Sequence, residues 1–102
     1  MSSQARVAIW AYLQAKQGKE AELEAFLKSA LPLAQGEQGT TSWFAIKINQ
    51  STFGIFDTFA DDAGRDAHLN GPIAKALMAK ADELLAKPPS IEKVDVLAAK
   101  LK

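Results

Sequence analysis

A chain of 102 residues can build one hydrophobic core and is short enough for a partner subunit to matter. Its 12 Lys+Arg and 12 Asp+Glu cancel, so no positive field draws it to nucleic acid or an anionic membrane. The absence of cysteine excludes disulfides, thiolate zinc sites, iron–sulfur clusters and a thiol nucleophile. With one histidine and no carboxylate cluster, no protein-bound metal is expected.

The opening MSSQARVAIW lacks a basic region followed by a long apolar run, and no stretch of about 18 apolar residues follows that could span a bilayer. A soluble cytoplasmic protein is therefore expected. From Arg6 to Gln14 the residues alternate as a first strand, with Val7, Ile9, Ala11 and Leu13 on one face and Ala8, Trp10, Tyr12 and Gln14 on the other. Trp10 and Tyr12 are large with polar tips, and fit either packing under another element or pocket lining. After Lys16-Gln17-Gly18, the residues Leu23, Phe26, Leu27, Ala30, Leu31 and Ala34 recur at helical spacing. Pro32 lies inside that pattern and predicts a kink or restart.

A second strand is predicted over Thr40–Asn49 and a third from Thr52, joined by a two-residue turn in which Asn49 faces Thr52. That register puts Phe44, Ile46 and Ile48 on the face of Phe53 and Ile55, and puts Trp43, Ala45 and Lys47 with Gly54, Phe56 and Thr58. A slip of one residue would exchange the faces. The hairpin is expected in the middle of the sheet, with Asp57 as a solvated rim residue at a strand end. Asp61 is the predicted N-cap of a short helix that carries His68 and stops at Asn70-Gly71-Pro72. The next helix, Pro72 to Lys87, has two apolar stripes that include Leu77 and Met78. It is wide enough both to cover the sheet and to line a cavity. Pro88-Pro89-Ser90 ends it, and Ile91 to Leu101 alternates as a fourth strand.

The order β-α-β-β-α-α-β predicts an α+β, ferredoxin-like fold with a four-stranded antiparallel sheet, taken as one domain over residues 1–102. Trp10, Tyr12, Trp43 and Phe56 would crowd the face the helices leave open. Such a face is usually closed by a second copy, so a homodimer is expected.

Glu37-Gln38-Gly39-Thr40 before the second strand, the stretch Phe53-Gly54-Ile55-Phe56-Asp57-Thr58-Phe59, and Ala67-His68-Leu69-Asn70-Gly71-Pro72 leading into the long helix together resemble the antibiotic biosynthesis monooxygenase family. The resemblance implies a dimeric α+β barrel. It also implies cofactor-independent oxidation of a small aromatic polyketide or quinol by molecular oxygen. That chemistry needs a base, hydrogen bonds to a developing enolate and dry aromatic walls. His68 is the expected base, because its ordinary pKa lets it accept a proton at neutral pH. Its alternative role is a helix-end histidine complementing the dipole. Tyr12, Trp43, Asn49 and Arg65 are the expected substrate contacts, with Met78 on the cavity wall. The haem-degrading branch of the family places asparagine, tryptophan and histidine where this chain has Ala11, Phe59 and Met78, which argues against haem. The alternative function is a non-catalytic dimer that binds a small hydrophobic ligand. RNA binding, suggested by Phe53-Gly54-Ile55-Phe56, is disfavoured by Ser51 and Thr52 before it and by the zero net charge.

Overall fold

The structure is a computed structural model that describes residues 4–102. Its elements run β1 (Val7–Gln14), α1 (Glu20–Ser29), α2 (Leu31–Gln35), β2 (Thr40–Lys47), β3 (Thr52–Phe59), α3 (Asp62–Leu69), α4 (Pro72–Leu84) and β4 (Ser90–Asp95). The four strands form one antiparallel sheet in the order β2-β3-β1-β4, the expected ferredoxin-like arrangement. The hairpin β2-β3 does not form the middle of that sheet. β3 and β1 are central, whereas β2 lies at one edge and β4 at the other.

Alternation along β1 sends Ile9, Ala11 and Leu13 under the helices, where they meet Phe53 and Ile55 of β3 across the ladder. Leu23 and Leu27, one helical turn apart on α1, and Leu77 and Leu84 of α4 close this core. Each such side chain contributes about 1.5–3 kcal/mol on full burial, so the central strands and the two longer helices hold each other in place.

The hairpin register differs by one residue from the expected one. Asn49 Oδ1 accepts from the Ser51 N–H at 3.1 Å, a local turn bond that tightens a three-residue loop, and the Ile48 N–H reaches the Thr52 carbonyl at 2.8 Å. Ala45 therefore pairs with Ile55 and Trp43 with Asp57. Trp43, Ala45 and Lys47 go to the helix-covered face, and Phe44 and Ile46 join Phe56 on the open one. Trp43, expected on the open face, instead packs against both clusters of the core.

The first helix restarts as expected around Pro32, breaking at Ala30 because the proline ring crowds the Lys28 carbonyl and lacks a donor. Later boundaries shift. α4 ends at Leu84 rather than Lys87, since Leu85 turns extended and bridges Ala15 beside β1. β4 stops at Asp95, short of the expected Leu101.

Candidate active site

α3 begins as predicted, with the Asp61 side chain accepting from the Gly64 N–H at 2.8 Å. Gly64 then lies against Gly39 so closely that a Cβ on Gly39 would stand 2.9 Å from the Gly64 Cα. Two glycines in register let the helix seat directly on the segment entering β2. One turn further on, His68 is carried over β3, with its ring centroid 5.4 Å from that of Phe59.

There the imidazole is held between two carboxylates. Nδ1 lies 2.7 Å from Glu37 Oε1, and Nε2 lies 2.8 Å from Asp57 Oδ2. Glu37 is itself fixed by the Thr40 hydroxyl, which donates to the same oxygen at 2.7 Å. His68 is 8% exposed and Asp57 is fully buried. The Nε2 contact is a close charge contact whose N–H does not point squarely at the carboxylate. Both Asp57 oxygens consequently lack a well-aligned donor, as does Glu37 Oε2. Burial disfavours the charged ring, but its close contacts with the negative charges of Asp57 and then Glu37 outweigh it and raise the His68 pKa above its ordinary 6.5. An imidazolium with a proton on each nitrogen is the form that suits two acceptors.

His68 is the residue expected as base, and the structure sets its Nδ1 against Glu37 and its Nε2 against Asp57. Asp57, expected at a solvated rim, is instead the most deeply buried charged group of the site. Its position was readable in part: Phe59 continues the alternation of Phe53, Ile55 and Asp57, so Asp57 lies within the strand and on its apolar face. A buried carboxylate there requires a partner, and the chain has one histidine to offer.

Beside the clamp lies a hollow of about 50 Å³, walled by Ile9, Ala11, Ile55, Ile73, Ala74 and Leu77, with Asp57 and His68 contributing its polar part. Met78 and Ile91 stand at its rim, Met78 being 58% exposed. Of the expected site residues, His68 and Met78 line this hollow and four do not. Tyr12 is on the open face, with Lys87 Nζ 5.9 Å from its ring centroid. Trp43 packs half-buried against the core, with Nε1 itself buried and unpartnered. Asn49 is committed to the hairpin turn. Arg65 reaches across β1 and β4 to donate to the carbonyls of Ala8 and Val94 at 3.3 and 3.2 Å. Two wider grooves, each about 530 Å³, lie by Arg6, Asp61 and Asp95 and by Lys16, Asp82 and Lys87. Neither is lined by any of the buried, unpartnered side chains just named. Among the described residues no three His, Asp, Glu or Cys side chains converge as a metal site, and no helix is long and apolar enough to cross a membrane.

This fold is shared with proteins described as putative antibiotic biosynthesis monooxygenases. One from Caulobacter crescentus is 21% identical over 93% of this chain and 92% of its own, with a TM-score of 0.77. Another, from Nitrosomonas europaea, is 12% identical over 90% and 99%, with a TM-score of 0.80. At such identities the likeness shows the fold alone. A much nearer similarity is to NE2512, a protein of unknown function from Nitrosomonas europaea, at 61% identity over 98% of this chain and 97% of that one, with a TM-score of 0.95. The chain belongs to the family of NE2512. No protein-family model and no curated protein sequence matches it.

Proposed function

We propose that the chain is a cofactor-independent monooxygenase of a small aromatic polyketide or quinol, with Asp57 receiving the substrate's proton and His68 acting as its charged neighbour. The carrying observation is a buried carboxylate, without an aligned donor on either oxygen, on the wall of an apolar hollow. For a quinol-type substrate, Asp57 would take a proton from a ring hydroxyl. The phenolate then passes one electron to oxygen, and the radical pair combines at the neighbouring ring carbon to a peroxide. Return of the proton gives a hydroperoxide; loss of the remaining hydrogen on that carbon as a proton breaks the O–O bond, the departing hydroxide takes up that proton as water, and a carbonyl is left, so one oxygen atom stays on the substrate and the other leaves as water. His68, held by Glu37, supplies positive charge beside the reduced oxygen, and the apolar walls limit side reactions with water. The aromatic open face, with Trp10, Tyr12, Phe44, Ile46 and Phe56, supports a homodimer as the working form.

Oxygen uptake with a panel of anthrones and hydroquinones tests this reading. Wild-type protein is expected to consume oxygen, and Asp57→Asn to lower the rate about a hundredfold or more. Absence of uptake across the panel would favour the second reading, a non-catalytic dimer that binds a small hydrophobic ligand.

A further inference from the structure

The composition of the hollow restricts what it can hold. Its walls are aliphatic and its polar part is a carboxylate beside a histidine already committed to two acidic partners. A buried acceptor without an aligned donor costs free energy until a donor reaches it. An anionic group is disfavoured at the same place. Two carboxylates and one imidazolium sum to a single negative charge, and apolar walls screen it poorly. About 50 Å³ admits a few heavy atoms, not a fused ring system. The rim can give way where Met78 stands, because its side chain is flexible and more than half exposed, with exposed Ile91 across from it.

From these features we infer that the hollow takes the hydrogen-bond-donating edge of a small neutral molecule, a hydroxyl on a single flat ring, with Asp57 as the selecting acceptor and Met78 as the side chain that moves to admit the ring. Carboxylate-bearing analogues of the same size are excluded by charge. Ethers of the same shape are discriminated against because they bring no donor. This deepens the proposed function, resting on the same site, yet it concerns binding and does not require turnover.

The test uses the full chain and three probes of similar size: phenol, anisole and benzoate. Binding is followed by ligand-observed NMR and by the ring signals of the sole histidine. Phenol is expected to bind at least about tenfold tighter than anisole, the ratio a hydrogen bond to a charged acceptor supplies. Benzoate should leave the His68 signals unmoved. Ala74→Leu, which fills the hollow without touching Asp57, should abolish phenol binding. If Ala74→Leu does not fold, Met78→Ala, which clears the rim, should strengthen phenol binding or leave it unchanged. Equal affinity for phenol and anisole, benzoate binding as tight as phenol's, unaltered phenol binding by folded Ala74→Leu, weaker phenol binding by Met78→Ala, or no binding by any probe at millimolar concentration would overturn the inference. Oxygen uptake recorded on the same samples separates the two proposals. Selective phenol binding with no uptake from the full substrate panel removes the oxygenase and leaves the binding site. Uptake with a carboxylate substrate bound in the hollow removes the binding rule and leaves the oxygenase.

Discussion

The two faces of the sheet are built from the same strands and solve opposite problems. Under the helices, Ile9 and Ile55 neighbour a buried Asp57 that is tolerated because His68, held in turn by Glu37, sets a cation against it. On the open side, Phe44 is 54% exposed, and the Trp10 ring lies flat over Gly54, where a Cβ would come within 2.5 Å of it. The covered face looks apolar in sequence yet holds the chemistry. The aromatic face looks like a site yet offers a surface for another molecule. Exposure, rather than residue type, distinguishes their roles.

The largest expected break in this contrast comes from His68→Ala, which leaves the buried Asp57 and the partly buried Glu37 without their cation. A loss of about 3–5 kcal/mol is expected by urea denaturation, and an unchanged midpoint would show that the clamp is not buried as described. Gly39→Ala acts on the same face through backbone. The added methyl meets the Gly64 Cα at 2.9 Å, so α3 must lift. About 1–3 kcal/mol should be lost, together with a downward move of the His68 pKa as its acceptors separate. Phe44→Asp, on the open face, should change the stability of the folded monomer by less than about 0.5 kcal/mol. In sedimentation it should abolish the self-association expected of the wild type; a dimer that persists in this variant would place the interface elsewhere.

Much of the fold was legible because alternation and helical spacing are local. β1, the Asp61 cap, the Gly71-Pro72 junction and the antiparallel order all follow from neighbours a few residues apart. The hairpin register was not, since it turns on one side-chain bond from Asn49 to the Ser51 N–H, and the slip exchanged Trp43 for Phe44. The site was half legible. His68 stands out as a single residue of its kind, whereas Glu37, some thirty residues earlier, becomes its partner only once Gly39 and Gly64 meet. Arg65 and Asn49 carry polar groups that backbone carbonyls and a turn consume first, and no local pattern announces that.

The account stands or falls on whether His68 is a buried imidazolium between Asp57 and Glu37. One histidine gives one set of ring signals, so NMR titration reads it without assignment by mutagenesis. The predicted midpoint lies above 6.5. Since the native state then holds its proton more tightly than the unfolded chain, the stabilisation is complete below about 6.5 and is lost as pH rises through the native midpoint. A midpoint at or below 6.5, with stability flat across that window, would contradict it.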